Sequence, residues 1–328
     1  MKGPIGTFNA LKGSFIALLG VLLCTACGSA VSGSAAPPSS LAAGLAAPSV
    51  VAPVESSVPP PPAPSTPPPS SAGSKAKECP LPQSGFDCDF QRRFAAAQSY
   101  VAKRPGTVGI VVRDRQTGTV WRNEHAGDLT WTASTIKLAM TVDLLLRDRS
   151  GTITLSAEDR SLIKAMLHSS DDNAADTLWF KYAGADHLSF NDTFPGYGMT
   201  SLAPQRGFSS FFPYWGFQKC TPDDLDRLMT YVLTRLPADL RDYITGELRS
   251  VATNQQWGVW GAGPAARPGN KDGWSEEQGG WVMNTVGFVG PGERYTLVAM
   301  NNLRGKGGFN EGKATVTEVA RLIFSGRF

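Results

Sequence analysis

The pattern of apolar and polar positions predicts strands near both ends of residues 90–328 and mostly helices between them. Runs rich in β-branched and aromatic residues, bounded by Gly or Pro, predict strands at 107–113, 119–122, 281–289 and 295–300. Apolar spacing of three to four residues predicts helices at 90–101, 134–149, 158–167 and 221–233, and a last helix through Val316, Val319, Ala320 and Ile323. We therefore expect an α+β fold. Its antiparallel sheet is built from N- and C-terminal strands and flanked by helices, with an inserted helical lobe and a cleft between the lobes.

The first 27 residues have the pattern of an export signal. Lys2 and Lys12 precede an apolar run at 15–23 that is too short for a stable transmembrane helix. The segment ends at Cys27 and resembles a bacterial lipobox, in which that Cys is lipidated and becomes the mature N-terminus, although Cys24 stands where Leu is usual. The resemblance implies a lipoprotein anchored at the outer face of the cell membrane. A soluble secreted protein and an uncleaved anchor are the alternatives.

Residues 28–78 have the composition of a disordered linker. Half of the 24 Pro residues lie between Pro37 and Pro69, and residues 28–77 include no aromatic side chain. Such a sequence cannot bury enough apolar surface to offset the entropy lost on ordering. We therefore expect a signal peptide (1–27), a linker (28–78) and one folded domain (79–328).

Charge and cysteine content narrow the possible functions. The formal net charge is +3, and a near-neutral folded region argues against an electrostatic nucleic-acid binder. In an oxidising compartment, Cys79, Cys88 and Cys220 allow one disulfide, and pairing of Cys88 with either of the other two remains open. We expect no cofactor, because the three His show no metal-ligand spacing with Cys or acidic residues: His125, His168 and His187.

A Ser followed three residues later by a Lys on a helix can supply a nucleophile and its base, because positions i and i+3 share one face. The spacing occurs three times, but only Ser134 and Lys137 lie at the start of a strongly apolar helix; Ser74 lies in the linker and Ser161 in a surface-like helix. The N-terminus of a buried helix favours negative charge that develops there. The alternative is a Ser that only caps a core helix.

Two later segments complete a set of three motifs. The sequence SSDDN at 169–173 follows a predicted helix, and NKDGW at 270–274 precedes a predicted strand. In this order the three segments resemble the S-x-x-K, S-D-N and K-T-G motifs of the penicillin-recognising serine hydrolases, which include the class A β-lactamases and D-Ala-D-Ala peptidases. The likeness covers roughly residues 90–325 and is greatest for the actinobacterial lipoprotein branch of that superfamily.

The resemblance implies a role for each matching residue. Ser134 would be the acylated nucleophile, and Lys137 would accept its proton. Ser170 would relay the proton to the leaving group, and Lys271 would hold that relay and any substrate carboxylate electrostatically. The backbone N–H groups of Ser134 and Trp274 would form the oxyanion hole.

Three departures from the family pattern bear on substrate binding and turnover. Asp172 occupies the Asn position of the second motif, where a carboxylate would favour the ammonium form of the lysine base. Asp272, next to Gly273, replaces a hydroxyl residue that helps bind a substrate carboxylate, so an anionic β-lactam is expected to bind badly. Between Glu158 and Glu247 the chain has no Glu, whereas class A β-lactamases hydrolyse their acyl-enzyme with a loop Glu in this region. Efficient penicillin hydrolysis is therefore not expected.

Three functions follow as hypotheses. The first is a serine hydrolase or acyl transferase that forms an acyl-enzyme at Ser134 with a small peptide or ester of the cell envelope. The second, motivated by Asp172 and Asp272, is a non-catalytic module that binds cell-wall peptide or a protein partner, and the third is a true β-lactamase. The complete set of four side chains at 134, 137, 170 and 271 favours the first. Four Trp fall in segments that can line the cleft, although core packing is expected for most of them: Trp215, Trp257, Trp260 and Trp274.

Overall fold

A computed structural model describes residue 79 and residues 85–207, 211–276 and 279–328. The predicted signal peptide, the lipidation residue Cys27 and the linker 28–78 lie outside the described residues. Eight α-helices occur in the described ranges: α1 Cys88–Val101, α2 Ile136–Arg149, α3 Ala157–His168, α4 Asp172–Tyr182, α5 Ser189–Thr193, α6 Pro222–Thr234, α7 Ala238–Arg249 and α8 Phe309–Phe324. None of these helices is both long and apolar enough to cross a bilayer.

The strands form two antiparallel sheets. The larger sheet has five strands in the order β2-β1-β8-β7-β6, so that the first two strands of the fold lie beside the last three. The smaller sheet has the order β3-β5-β4. The bounds are β1 Thr107–Asp114, β2 Val120–Arg122, β3 Thr130–Trp131, β4 Ala203–Pro204, β5 Gln218–Cys220, β6 Gly269–Ser275, β7 Val282–Val289 and β8 Tyr295–Asn302.

The central sheet is covered on both faces, which explains why its strands are apolar almost throughout. Along β7 alternate residues belong to different cores: Met283 and Val289 pack with α1 and α8, whereas Val286 and Phe288 pack with the helical lobe. The lobe itself is centred on α2, in which the ten residues from Ile136 to Leu145 are all buried. The predicted α+β architecture with an inserted helical lobe is confirmed.

The helix boundaries follow from local sequence signals. Thr221 caps α6: its hydroxyl accepts the N–H of Asp224 at 3.1 Å, and a carboxylate oxygen of Asp224 accepts the N–H of Thr221 at 2.8 Å. The predicted helix at 134–149 begins later than expected, because residues Ala133–Thr135 form a 3-10 turn before α2. That turn places Ser134 outside the regular helix.

The prediction of strands near both ends of residues 90–328 misses three short strands in the middle of the chain. The small sheet of β3, β4 and β5 lies in the middle of the chain, and its strands of two or three residues are too short to show a periodic pattern. The segment 270–274 does not merely precede a strand but forms most of β6. Its Gly, Asn and Asp residues disfavour strand, and pairing with β7 along seven residues overrides that preference.

The described cysteines settle the disulfide question. Cys79 is bonded to Cys88 at the start of α1, and Cys220 is a free, buried thiol in β5. The alternative pairing of Cys88 with Cys220 is therefore wrong, and the bridge closes a short local loop at the beginning of the folded region.

Candidate active site

The nucleophile candidate lies on a constrained turn between β3 and α2. Ala133, directly before Ser134, has a φ of +44°, a conformation that is costly for a residue with a side chain. The approach to this turn is held by Asn284 of β7, whose side-chain amide donates to the carbonyl of Trp131 at 2.7 Å. Ser134 is 8% exposed and lines a cavity rather than an open surface.

Lys137 lies one turn further along α2 and is fully buried. Its ammonium group donates to the backbone carbonyl of Ser170 at 2.7 Å and forms an ion pair with the carboxylate of Asp172. The ring of Trp215 covers the ammonium group at 4.6 Å from its centroid. Burial lowers the pKa of Lys137 below its ordinary value, and the charge of Asp172 opposes that change. In the described part of the chain, no hydrogen bond joins this ammonium group to the hydroxyl of Ser134.

The second motif forms the connection between α3 and α4. Ser170 has a φ of +62°, a second left-handed residue beside the cavity, and Asp171 caps α4 by accepting the N–H of Ala174 at 2.9 Å. Asp172 is the first residue of α4, and its side chain is 71% exposed. The chain therefore turns sharply enough for the carbonyl of Ser170 and the carboxylate of Asp172 to face the same ammonium group.

Lys271 of β6 links the third motif to the second. Its ammonium group donates to the hydroxyl of Ser170 at 2.9 Å and to the carbonyl of Asp272 at 2.8 Å. Burial, together with the charge of Lys137, lowers the pKa of Lys271 to about 7. Hydrogen bonds thus connect Lys271 and Lys137 through Ser170, and Lys137 lies three residues after Ser134.

The register of β6 places Asp272 away from the cavity. Residues opposite each other in an antiparallel pair share a face, and Lys271 lies opposite Val286 on the lobe side, whereas Asp272 lies opposite Thr285 on the α8 side. Asp272 is 1% exposed, and neither carboxylate oxygen has a well-formed hydrogen bond to a described residue. Burial therefore raises the pKa of Asp272 well above its ordinary value, against smaller opposing effects of the nearby Thr285 and Asn270 side chains.

Gly273 returns to the lobe side and lies against the nucleophile turn. A Cβ at this position would lie 2.8 Å from the backbone nitrogen of Ser134 and 2.7 Å from that of Thr135. Only glycine permits this close approach. The next residue, Trp274, lines the cavity together with Ser134, which is the arrangement expected of two residues whose backbone N–H groups would bind an oxyanion.

The cavity above Ser134 has a volume of about 640 Å³. Of the four Trp considered from the sequence, Trp215 and Trp274 line it, whereas Trp257 is buried against Trp274 and Trp260 donates its ring N–H to Asn270. Several lining residues lie outside the three motifs and carry no sequence signal of their own. They are Asp176, Tyr214, Gly216, Phe217, Ser275, Glu276 and Trp281.

Asp176 is the most firmly held of these additional residues. One oxygen of its carboxylate accepts the hydroxyl of Tyr214 at 2.5 Å and the ring N–H of Trp215 at 2.7 Å. The helix α4 thus supplies both Asp172 and Asp176, one turn apart, to the same cavity. This spacing is visible in the sequence, but only the fold shows that it faces the site.

The donor set suits acyl chemistry. Among the described residues, no group of three or more His, Cys, Asp or Glu side chains is arranged to hold a metal ion. A hydroxyl on the turn before a helix, a buried amine three residues later, and a second hydroxyl bound by a second amine are the kinds of group that acyl transfer uses as nucleophile, base and proton relay.

The fold defines the class of protein. Three β-lactamase structures, one of them described as class A, match over 71–72% of this chain and 97% of their own. They are a variant of the last common ancestor of the Gram-negative enzymes bound to 5(6)-nitrobenzotriazole (TM-score 0.58, 20% identity), the Xanthomonas campestris enzyme (0.60, 18%) and the Streptosporangium roseum enzyme (0.58, 16%). The fold is that of the class A β-lactamases, and the resemblance to the penicillin-recognising serine hydrolases is confirmed at this level.

The sequence defines the family within that class. The chain is 30% identical over 253 residues to the protein named "Putative lipoprotein LppW" in Mycobacterium tuberculosis and Mycobacterium bovis, covering 74% of this chain and 77% of that protein. It belongs to the LppW family, which agrees with the predicted actinobacterial lipoprotein branch. No model of a known protein family matches the chain.

Proposed function

We propose that the protein is an exported, membrane-tethered serine hydrolase or acyl transferase that forms an acyl-enzyme at Ser134. The observation that carries this proposal is the connected group around Ser170: its hydroxyl accepts from Lys271 at 2.9 Å and its carbonyl accepts from Lys137 at 2.7 Å, beside the turn that presents Ser134. A binding module has no physical need for two buried amines at this place.

The acylation step would use these groups in sequence. The hydroxyl oxygen of Ser134 attacks the carbonyl carbon of a peptide or ester while its proton passes to the neutral amine of Lys137. The backbone N–H groups of Ser134 and Trp274 stabilise the oxyanion. The proton then reaches the leaving nitrogen or oxygen through the hydroxyl of Ser170, oriented by Lys271, and water or a second nucleophile later releases the acyl group.

Penicillin hydrolysis is not part of this proposal. The chain has no Glu between Glu158 and Glu247 to activate a deacylating water, so a β-lactam would form at most a long-lived adduct. Nitrocefin turnover by the purified folded region, abolished in Ser134→Ala, would show instead that the protein is a true β-lactamase.

The direct test of the catalytic proposal is covalent labelling. The wild type and the Ser134→Ala variant are incubated with a fluorophosphonate, a fluorescent penicillin and a panel of activated esters, and intact-protein mass is measured. We expect adducts of the fluorophosphonate and the neutral esters on the wild type alone, with Asp242→Asn on α7 as the matched control that labels normally. Equal labelling of both proteins, or of neither, contradicts the proposal.

A non-catalytic binding module is the second candidate, and the ion pair between Lys137 and Asp172 favours it. An ammonium group cannot accept the proton of Ser134 until it has lost a proton of its own, and the paired carboxylate disfavours that loss. Retained ligand affinity in Ser134→Ala, together with no covalent adduct from any acyl donor, would support this candidate, and an acyl-enzyme seen by mass spectrometry would exclude it.

Tethering through Cys27 is a separate part of the proposal. It is supported by the lipobox-like end of residues 1–27 and by the name of the mycobacterial relatives. The chain expressed in an actinobacterial host is expected to enter the detergent phase on Triton X-114 partition. The Cys27→Ser variant is expected either to stay in the aqueous phase or to keep its signal peptide, which its mass would show. Identical partition of the two chains would argue for another mode of attachment.

A further inference from the structure

The charged side chains that line the cavity are all negative. Three carboxylates line it, from Asp172, Asp176 and Glu276, and no Lys, Arg or His side chain lines it among the described residues. The two lysines of the site lie behind the wall: Lys137 is 0% and Lys271 1% exposed. A ligand that enters the cavity therefore meets negative charge before it reaches either amine.

Two of these carboxylates lack a compensating cation. Asp172 is paired with Lys137, but Asp176 is bound only by the neutral donors Tyr214 and Trp215, which orient the carboxylate without cancelling its charge. Glu276, exposed at the end of β6, is in no ion pair with a described residue. The negative charge of Asp176 also contributes to stabilising the ammonium form of Lys137, so the electric field of Asp176 extends to this lysine.

The wall between these carboxylates is aromatic. Trp215 already covers one ammonium group, that of Lys137, and Tyr214 and Phe217 line the same cavity. The face of an aromatic ring attracts cations and offers nothing to an anion. Carboxylates beside aromatic faces form a receptor for an ammonium or guanidinium group.

The position that would recognise an anion is turned away from the cavity. Asp272 faces α8, and Lys271 is already engaged by the hydroxyl of Ser170 and the carbonyl of Asp272. Lys271 therefore has no free ammonium group to offer to a substrate carboxylate. The cavity thus lacks the exposed cation that would bind an anionic acyl donor and contains carboxylates that would bind a cationic one.

We infer that the substrate of this site carries a positive charge, such as a free amino group, close to its reacting carbonyl. That the ligand is a substrate rests on the proposed function, but the preference of the cavity for a charged ligand can be measured without catalysis. The two claims can therefore fail separately.

The binding arm uses three amides that differ in side-chain charge: Nα-acetyl-lysine amide, Nα-acetyl-norleucine amide and Nα-acetyl-glutamate amide. Affinities for the Ser134→Ala variant are measured by isothermal titration calorimetry. We expect the lysine amide to bind about 10-fold more tightly than the norleucine amide, and the glutamate amide most weakly. The preference should shrink as ionic strength rises from about 50 to about 500 mM, because salt screens exposed charges.

The variants test where the preference arises. Glu276→Gln and Asp176→Asn are each expected to reduce the lysine-over-norleucine ratio by about 3-fold, whereas Asp242→Asn on the remote helix α7 should leave it unchanged. Glu276 is exposed, so its variant is expected to fold normally even if Asp176→Asn disturbs Tyr214 and Trp215.

The acylation arm uses the p-nitrophenyl esters of the same three acyl groups with the wild type. We expect the lysine ester to acylate Ser134 about 10-fold faster than the norleucine ester. If no ester releases p-nitrophenol through Ser134, the proposed function fails, and the amide affinities still decide the inference. Equal or weaker binding of the lysine amide, or no measurable binding of any amide, overturns it.

Discussion

Lys137 of α2 and Asp172 of α4 form an ion pair in which one partner is fully buried and the other is largely exposed. Lys137 lies three residues after Ser134, whose hydroxyl it would activate, and Asp172 lines the cavity. The same contact therefore stabilises the ammonium form of the base and leaves Asp172 accessible to solvent and to ligands.

Replacing Asp172 is expected to make Lys137 a better base. In Asp172→Asn the opposing charge is gone, so burial lowers the pKa of Lys137 further and more of the amine is neutral near pH 7. Acylation by the norleucine ester should become about 10-fold faster, and its acid limb should move to lower pH. The measurement is p-nitrophenol release between about pH 5 and 9. The norleucine ester is uncharged, so loss of the Asp172 charge does not alter its electrostatic attraction to the cavity. A slower Asp172→Asn would indicate that the carboxylate takes part in the reaction.

Gly273 offers a test of how β6 positions the nucleophile. In Gly273→Ala the new methyl group would overlap backbone atoms of the turn at Ser134 and Thr135, which must then move. We expect acylation to fall at least 10-fold while the far-ultraviolet circular dichroism stays that of the wild type, with a loss of about 1–3 kcal/mol in the free energy of unfolding. Gly246→Ala is the matched control, because it adds a methyl group on α7 where no atom lies within 4 Å. Unchanged acylation in Gly273→Ala would show that the close approach is not needed.

Asp272 is predicted to destabilise the folded protein at neutral pH. Its pKa is raised in the folded state, so ionisation costs free energy of folding once the pH rises above the ordinary carboxyl value of 3.8. Asp272→Asn should raise the melting temperature by about 5 °C at pH 7, and the gain should disappear as the pH falls below about 4, where the carboxyl is neutral in both states. Thermal melts of Asp272→Asn and Asp242→Asn across this range provide the comparison. A variant less stable than the wild type at pH 7 would mean that the carboxylate has a stabilising partner.

The sequence was sufficient to predict the features that depend on local signals. The capping residues at Thr221 and Asp224, the apolar face of α8 and the long strands β7 and β8 follow from spacing and composition. The motif order also predicted that Lys271 would meet Ser170, although the two are 101 residues apart. These features depend on residue type and neighbourhood more than on exact register.

Other features depend on tertiary pairing and carry no local signal. Whether Asp272 faces the cavity or α8 is decided by a one-residue step in the register of β6 against β7. The meeting of Asp176 with Tyr214 joins α4 to a loop 38 residues later, and Glu276 reaches the rim only because β6 ends there. The sequence therefore predicted the grouping of Ser170 with Lys271 better than it predicted the other residues that line the cavity.

The order of the strands has a consequence for biosynthesis. β1 pairs with β8 along its whole length, from Thr107 opposite Asn302 to Asp114 opposite Tyr295. A nascent chain must therefore keep β1 without this partner until β8 has been translated, and during that interval the edge of β1 can pair with other chains. A product that terminates before β8 lacks the strand that joins β1 to β7, so the sheet that carries Lys271 and Gly273 cannot be completed.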